Sequence, residues 1–312
     1  MMSSGAMPSS QLDVLCVGHA SYDLIFSVPH HPGADEKIFG DSFSACGGGP
    51  AANAAVSVAR LGLQAAFAGY LGNDLYGDRH LAEFLAEGVR THLIRRDRHP
   101  SPLSAIMVKP DGARALINYK GDTRSLQPDA IDFSGIRPKV ILFDGHEPLL
   151  SPPLNDQARQ VSIPTVLDAG SLHAGTEALM RKVDYLVCSE KFAGQYLGRS
   201  DNRAALVALG EVSPCVVITL GEHGVLWRKG NESGQLPAFP VTAVDTTGAG
   251  DVFHGVFAAA LAAGKGWDEI LLWASAAGSL CCTRIGARTG IPGLAELEAF
   301  VSAQGQGAVQ RF

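Results

Sequence analysis

The most chemically suggestive residues of this chain lie at positions 245–251, which read Asp-Thr-Thr-Gly-Ala-Gly-Asp and lead into a long apolar stretch. Gly248, Ala249 and Gly250 are small residues at the expected start of a helix, so the unpaired backbone amides there can surround an anion. Asp251 would lie in the first helical turn, where the helix dipole favours its ionised form and where it can take a proton from an attacking hydroxyl. The pattern therefore predicts an anion hole with a general base.

The same residues also suit an ordinary helix start. Thr246 or Thr247 would then cap the helix, and Asp251 would contribute about 0.3 to 1 kcal/mol through its interaction with the helix dipole. This segment alone leaves both interpretations open.

A second group of candidate residues lies near the N-terminus. Gly48 and Gly49 end a run of three glycines before an Ala-rich segment, and glycines let a ligand approach the backbone closely. Asn53, early in that segment, offers a donor and an acceptor, and Asp23 offers a carboxylate that can accept two hydroxyls. These residue types suit a polyhydroxylated ligand. The glycines are equally compatible with tight packing of a helix on a sheet.

The composition restricts the class of protein. The chain has 312 residues, 46% of them hydrophobic, and a net charge of -6, which fits a globular protein and argues against a nucleic-acid partner. Its six cysteines show no C-x-x-C spacing, which favours buried thiols in a reducing compartment. No stretch of about 18 apolar residues suggests a membrane span, and the first ten residues lack signal-peptide features, so we expect a cytoplasmic protein. Residues 1–10 are expected to be a disordered leader, and residues 11–312 a single α/β domain.

The apolar pattern predicts a parallel sheet covered by helices. Runs typical of strands alternate with helical segments, which indicates an α/β fold with a mostly parallel central sheet and helices on both faces. The predicted strands cover residues 14–17, 65–71, 140–143, 165–167, 185–187 and 216–220, and the predicted helices cover 51–61, 75–87, 204–209 and the segment from 249 onward.

Shorter, half-polar runs predict a second, smaller sheet. Strands are expected at 22–28 with 37–42, and at 104–109 with 113–119, the latter pair joined by the turn Pro110-Asp111-Gly112. Together they would form a small β lid built from about residues 22–42 and 103–120.

Several motifs, in this order, resemble the ribokinase-like family of sugar kinases, also called the PfkB family. They lie at residues 48–62, 69–77, 85–91 and 245–251, and the resemblance extends over about residues 12–300. It implies a ribokinase-like fold and an ATP-dependent kinase that transfers the γ-phosphoryl group of ATP to a sugar hydroxyl. Asp251 matches the family's base and residues 248–250 match its anion hole. The residues that match its sugar-binding positions are Asp23, Gly48, Gly49 and Asn53.

The resemblance also implies where the nucleotide binds. Thr219, Gly221 and Gly224 match a loop beside the nucleotide phosphates, although a plain turn between two strands explains the same residues. Ser189 stands on the nucleotide side, where many members have Asn, and Gly286 lies in the segment that borders the adenine.

Two cation positions follow from the same resemblance. Phe192 stands where many members have a Glu that orders Mg²⁺ through water, so Glu190 is the nearest carboxylate left for this role. Glu190 equally suits a cap of the following helix. Asp245 would supply a carboxylate to a monovalent cation such as K⁺.

The lid segments are most similar to the branch of the family that contains sulfofructose kinase, which phosphorylates a ketose with an anionic group at its far end. Lys37 and Asn118 match positions that would hold this anion, but His146 replaces the expected Arg. An imidazole lacks the bidentate fork of a guanidinium. We therefore expect a ketose or related neutral sugar, with a sulfonated or phosphorylated sugar as the alternative. Lys37 also suits a solvated lid charge, and His146 a polar residue at a strand end.

Two other classes of protein fit the sequence less well. A nicotinamide-dependent dehydrogenase would show G-x-G-x-x-G at the first strand end, but residues 18–21 read Gly-His-Ala-Ser. A non-catalytic sugar-binding relative is the remote alternative, since it would have no use for Asp251 beside an anion hole. The resemblance further implies a homodimer formed through the lid, where Ile25, Phe26 and Phe39 look like exposed apolar residues.

Overall fold

The computed structural model describes residues 11–303 and 309–312. The expected leader at residues 1–10 lies outside this range. The strands are β1 Leu12–Gly18, β2 Ser21–Ser27, β3 Ser42–Gly48, β4 Ala65–Gly72, β5 Ile94–Asp97, β6 Leu103–Val108, β7 Arg114–Tyr119, β8 Pro138–Phe143, β9 Thr165–Ala169, β10 Tyr185–Ser189, β11 Cys215–Thr219, β12 Val225–Lys229, β13 Glu232–Leu236 and β14 Gln310–Arg311. The helices are α1 Pro50–Arg60, α2 Leu75–Ala86, α3 Ser151–Gln160, α4 Ala174–Met180, α5 Glu190–Leu197, α6 Asn202–Gly210, α7 Ala249–Ala262, α8 Trp267–Cys281, α9 Ala287–Gly290 and α10 Leu294–Ala303.

A large, mostly parallel sheet forms the centre of the molecule. Its strand order is β14-β13-β12-β11-β10-β9-β8-β1-β4-β5, and the pairs from β11 to β5 are parallel whereas β12, β13 and β14 run antiparallel. The α/β prediction with a mostly parallel sheet is confirmed. The strands predicted for this sheet and the predicted helices all occur, with ends that differ by a few residues.

Helices cover both faces of this sheet. In β1, Val14 and Cys16 belong to one apolar cluster while Leu15 and Val17 belong to another. Successive side chains of a strand point to opposite faces, so these two clusters are the cores on the two sides of the sheet. The first cluster includes residues of α1, α7 and α8, and the second includes residues of α3 to α6.

The smaller sheet has the strand order β3-β2-β6-β7 and corresponds to the predicted lid. One predicted strand was wrong. Residues 37–42 form a loop up to Ser42, and the strand that pairs with β2 begins there and continues to Gly48. Pairing with β2 from Ser27 back to Ser21 holds Gly47 and Gly48 in extended backbone, although glycine disfavours strands. The lid therefore includes residues up to 48.

The two faces of the lid differ in exposure. Ile25, expected to be exposed, is buried with Ile106 and Val108. Phe26 is borderline exposed and Phe39 is strongly exposed, as expected.

Helices α1 and α7 pack unusually closely at Gly255. A Cβ atom at this position would lie 2.7 Å from the carbonyl oxygen of Ala54 and 2.8 Å from its Cα. Real Cβ atoms do not approach backbone atoms this closely, so only glycine fits here. The contact brings the first turns of the two helices together.

Two further expectations concern cysteines and membranes. All six cysteines fall within the described ranges and none forms a disulfide there. In the same ranges, no helix has the length and apolar character needed to cross a membrane.

Candidate active site

The carboxyl ends of the parallel strands bring the candidate residues to one edge of the large sheet. Thr219 ends β11, Ser189 ends β10, Asp168 lies near the end of β9 and Asp144 follows β8. In open parallel sheets ligands bind at this edge. Asp144 and Asp168 were not among the predicted site residues.

A row of polar residues crosses the lid sheet. Asp23 on β2 is the register partner of Cys46 on β3 and of Ser104 on β6, and Ser104 pairs with Asn118 on β7. Paired residues share one face of a sheet, so Asn118 faces the same way as Asp23. Lys37, by contrast, is exposed on the loop between β2 and β3.

The carboxylate of Asp23 is buried, and hydrogen bonds offset part of the cost of burying its charge. The Ser21 hydroxyl donates to its Oδ1 at 2.9 Å. Burial raises its pKa, while hydrogen bonds from Ser21 and Ser104 oppose the rise. A carboxylate with so few donors from the protein suits ligand hydroxyls.

Only glycine fits at positions 48 and 49. A Cβ on Gly48 would lie 2.1 Å from Asp23 Oδ2, and a Cβ on Gly49, whose φ is 100°, would lie 2.6 Å from the His19 carbonyl oxygen. The packing explanation therefore holds for both positions. Their role toward a ligand stays a prediction.

A hydrogen bond joins the two predicted halves of the site. Asn53 Nδ2 donates to Asp251 Oδ2 at 2.8 Å, across 198 sequence positions. Asn53 is buried, and its Oδ1 accepts no hydrogen bond within the described ranges. An orphaned buried oxygen is costly unless a ligand or water donates to it, so Asn53 Oδ1 is suited to a sugar hydroxyl.

The carboxylate of Asp251 is half-buried, and its neighbours shift its pKa in both directions. Burial raises its pKa, the hydrogen bond from Asn53 lowers it, and the negative charge of Asp144 raises it again. Arg114 acts in the opposite direction to Asp144. A raised pKa makes this carboxylate a better proton acceptor when ionised.

The start of α7 has backbone amides without a side-chain cap, as the anion-hole interpretation requires, although the Ala249 amide donates to the Thr246 carbonyl oxygen at 3.3 Å. Gly248 is the N-cap, with φ 76°, and no side chain caps the helix. The Thr247 hydroxyl instead donates to Asp245 Oδ1 at 2.6 Å. The alternative of capping by Thr246 or Thr247 is therefore wrong.

Gly248 and Gly250 differ in why they are glycine. A Cβ on Gly248 would lie 2.3 Å from the Ala287 Cβ, so the fold requires glycine there. A Cβ on Gly250 would meet nothing within 4 Å. Gly250 therefore leaves open space in front of the helix start.

A cavity of about 570 Å³ opens beside Ala249 and Gly250. This volume is in the range of small-molecule and cofactor sites. Its wall includes three residues predicted to contact the nucleotide, namely Thr219, Gly221 and Gly224, and apolar side chains such as Phe239 and Phe253.

The loop with Gly221 and Gly224 is also a turn between paired strands, because β11 and β12 are antiparallel neighbours. The plain-turn explanation is therefore geometrically correct, and the loop still forms part of the cavity wall. Ser189 pairs with Thr219, and its Oγ accepts from Phe192 N at 3.1 Å as the cap of α5. The nucleotide contacts of these residues stay predictions.

Asp245 joins two segments near the cavity. Its Oδ1 accepts from Thr247, and its Oδ2 accepts from the Gly286 amide at 2.8 Å. Asp245 is buried, and its oxygens have lone pairs left for a cation. This arrangement is compatible with the predicted monovalent cation.

Glu190 is exposed at the first position of α5, and its Oε1 accepts from Asn202 Nδ2 at 2.6 Å. Because Ser189 caps this helix, the capping alternative for Glu190 is wrong. Phe192 is fully buried in the core. Among the described residues no cluster of three or more His, Cys, Asp or Glu could hold a metal.

Asp144 organises the loops around the sugar side. Its Oδ2 accepts from the backbone amides of His19 at 2.7 Å and Ala51 at 3.2 Å, and its Oδ1 accepts from His146 N at 2.9 Å. The sequence signal was an acidic residue directly after a buried strand. Its significance depends on neighbours more than 90 positions away.

His146 belongs to a histidine cluster. Its ring lies 5.2 Å from that of His19 and 5.1 Å from that of His173, between centroids. Burial lowers the pKa of His19 to about 3 and also lowers that of His173. A small cavity next to this cluster is lined by His19, His146, Lys120 and Arg124.

An arginine of the lid also contacts the segment just before α7. Arg114 on β7 donates from Nη1 to Thr247 Oγ1 at 2.8 Å. The sequence offered no reason to select it, because the contact spans 133 positions and depends on how the lid sits over α7.

This combination of fold and site is that of a kinase acting on small carbohydrates. Residues 11–294 match the pfkB family carbohydrate kinase profile, so the chain belongs to this family. It is 31% identical over 294 residues to a ribokinase of Bacillus subtilis (strain 168), covering 93% of this chain and 99% of the relative. The ribokinase-like fold and the assignment as a phosphotransferase acting on a sugar hydroxyl are confirmed.

Solved structures show the same fold. A ribokinase from Thermotoga maritima superimposes with a TM-score of 0.83 at 29% identity, over 93% of this chain and 99% of that chain. An Arabidopsis thaliana ribokinase complexed with ribose and ATP superimposes with a TM-score of 0.83 at 24% identity, over 93% and 99% of the two chains, and shows the same fold.

Replacing Asn53 by Ala should raise the pKa of Asp251. The hydrogen bond from Asn53 stabilises the ionised carboxylate, and the substitution removes this bond. The pKa can be measured by ¹³C NMR titration of aspartate carboxyl carbons, with the Asp251 signal assigned by its loss in Asp251→Asn. Asn155→Ala, which removes another buried amide, is the control and should leave this pKa unchanged. An unchanged or lower pKa in Asn53→Ala would contradict the coupling.

Proposed function

We propose that this protein is an ATP-dependent kinase of a neutral sugar, a ketose or related monosaccharide, with Asp251 as general base. The observation that carries the proposal is the Asn53–Asp251 hydrogen bond, which puts the base beside the predicted sugar residues and next to the cavity at Ala249 and Gly250. The ATP in the Arabidopsis ribokinase complex supports ATP as the phosphoryl donor.

The geometry suggests how the reaction proceeds. Asp251 accepts the proton of the attacking sugar hydroxyl, the hydroxyl oxygen bonds to the γ-phosphorus, and the bond to the bridging β–γ oxygen breaks, releasing ADP. The amides at the start of α7 stabilise the charge on the transferred group, and Arg114 lies close enough to Thr247 to add a positive charge. Asn53 and Asp23 hold the sugar so that one hydroxyl faces Asp251.

Two cations belong to this proposal. Mg²⁺ would be bound by phosphate oxygens and water, with Glu190 as the outer carboxylate, and would neutralise phosphate charge when bound. K⁺ would bind near Asp245, which already joins the 245–247 and 286 segments.

Asp251→Asn should lower kcat by at least about 100-fold, because the amide cannot accept the hydroxyl proton while its size is preserved. ADP formation and ATP affinity should be measured together, and ATP affinity should change little. Asp268→Asn is a matched control, since Asp268 also lies in the first turn of a helix and its carboxylate binds Arg311 on the surface. If both variants lost activity equally, a general helix-dipole effect would explain Asp251.

The same assay separates the enzyme from a sugar-binding relative without catalysis. Sugar binding by the wild-type protein with no ADP formation across a broad sugar panel would reject the kinase proposal. Ribose and fructose belong at the head of that panel, because the relatives named above are ribokinases and a ketose is the substrate expected from the sequence.

A kinase for an anionic sugar is the second candidate. The observation in its favour is the small cavity beside the sugar loop, which is lined by Lys120, Arg124, His19 and His146. The carboxylate of the neighbouring Asp144 already accepts hydrogen bonds from three backbone amides. Burial raises the pKa of Glu147, a second acidic neighbour, to about 7. A sulfonate or phosphate would therefore find more positive than negative charge here.

The two candidates differ in their substrate profiles. We expect kcat/KM for ribose or fructose to exceed that for fructose phosphates and sulfofructose, and Lys120→Gln to leave the neutral substrates within about twofold, since a neutral sugar gains little from this charge. Lys109→Gln, on the same lid, is the control. A preference of tenfold or more for an anionic sugar that Lys120→Gln abolishes would establish the second candidate instead.

A homodimer through the lid is also proposed. The lid face turned away from Asp23 carries Phe26, Phe43, Ile117 and Tyr119, and the last three are clearly exposed. An exposed apolar patch of this kind marks an interaction surface, and a second copy would bury the same patch. Sedimentation velocity should give the dimer mass for the wild type and the monomer mass for Ile117→Lys; a wild-type monomer at micromolar concentration would contradict the proposal.

A further inference from the structure

A buried carboxylate and an imidazole lie together beneath the start of α7. Asp168 is near the end of β9, and His254 lies one turn after Gly250 on α7. Asp168 Oδ2 is 3.3 Å from His254 Nδ1, and the two residues are only 5% and 3% exposed. Neither was among the predicted site residues, and neither lines the cavity beside Ala249.

Every neighbour of the His254 ring nitrogens is a hydrogen-bond acceptor. Besides Asp168, Nδ1 is 2.5 Å from the Gly250 carbonyl oxygen, and Nε2 is 3.2 Å from the Val187 carbonyl oxygen. A neutral imidazole has one N–H, so one of its nitrogens would direct a lone pair at an oxygen. An imidazolium carries one N–H on each nitrogen, so that Nε2 can donate to the Val187 carbonyl while Nδ1 donates to the Gly250 carbonyl and its positive charge faces Asp168.

Asp168 supplies the charge that such an imidazolium needs. Burial opposes an isolated charge on either group, lowering the pKa of His254 to about 4 and raising that of Asp168 well above its ordinary value. Together the two groups form a pair without net charge. Asp168 Oδ2 is buried and accepts no hydrogen bond within the described ranges, and the protonatable Nδ1 of His254 lies 3.3 Å from it.

The pair acts on the backbone at the helix start. The Gly250 carbonyl belongs to the planar peptide whose other end is the Asp251 N–H, and in a trans peptide these two groups point in opposite directions. A carbonyl fixed on His254 therefore orients the Asp251 amide. That amide belongs to the helix start beside Gly250, where a Cβ would meet nothing within 4 Å.

We propose that Asp168 and His254 are positioning residues, which share one proton and hold the Gly250–Asp251 peptide so that its amide completes the anion hole. The pair also gives the Asp168 carboxylate a compensating positive charge, so that it adds no net charge beside Asp251 and Asp144. The catalytic consequence rests on the kinase function proposed above.

The shared proton can be tested without any activity measurement. In wild-type protein labelled with ¹⁵N-histidine, both ring nitrogens of His254 should show the shifts of protonated nitrogens at neutral pH, with the signals assigned by their loss in His254→Gln. Asp168→Asn should remove one of these protons. A lone-pair nitrogen on His254 in the wild type would overturn the proposed protonation.

The positioning role is tested by comparing two substitutions. His254→Phe preserves ring volume but has no donor, whereas His254→Gln fits the space less well but keeps an N–H for the Gly250 carbonyl. We expect kcat to fall by about 10-fold or more in His254→Phe and clearly less in His254→Gln, with sugar KM within about threefold in both. Equal losses, or a better-preserved Phe variant, would show that His254 only fills space.

The results can reject the role of Asp168 and His254 separately from the proposed function. If Asp251→Asn retained full turnover, the base assignment would fail while the NMR result on His254 stood. If neither His254 variant folded, the histidine whose ring signals change in Asp168→Asn would identify His254 in the wild-type spectrum and decide the protonation.

Discussion

The hydrogen bond from Asn53 to Asp251 is the contact on which the candidate active site depends. It requires α1 and α7 to meet at their first turns, and this is possible because Gly255 lets α7 approach the Ala54 backbone. In the proposed function, α1 carries the predicted sugar-binding residue Asn53 and α7 carries the predicted anion hole. The sheet positions both helices, but this one contact sets the distance between the acceptor and donor halves of the proposed phosphoryl transfer.

The site concentrates acidic groups and compensates each of them differently. Asp144 accepts from three backbone amides, Asp168 has the His254 imidazole, and Asp23 has the hydroxyls of Ser21 and Ser104. Asp251 has one side-chain donor, Asn53. The number of donors does not distinguish Asp251 from Asp168; what distinguishes Asp251 is its place in the first turn of α7, next to Asn53, where the proposed function puts the proton acceptor. The other three shape the electrostatic field around it.

Much of the fold and the centre of the site could be predicted because their signals are local. The strands are continuous apolar runs, and the small residues before Asp251 define a helix start by their order alone. The strand predicted at 37–42 failed because its true location depends on pairing with β2, which draws Gly47 and Gly48 into extended backbone. Asp144, Arg114 and the Asp168–His254 pair could not be selected, since each acquires its role from contacts between distant segments.

The lid and the sugar loop are one continuous structure. β3 ends at Gly48 and passes through Gly49 directly into α1, and Gly47 is held by Glu83 at 2.7 Å and by Arg288 at 3.2 Å. On the opposite edge of the same sheet, Arg114 bonds to Thr247 beside the anion hole. Any movement of the lid must therefore displace the sugar-side glycines and the phosphate-side arginine together. Because both edges of the sheet are tied to the site, water exclusion and the alignment of the two substrates would be achieved in a single motion.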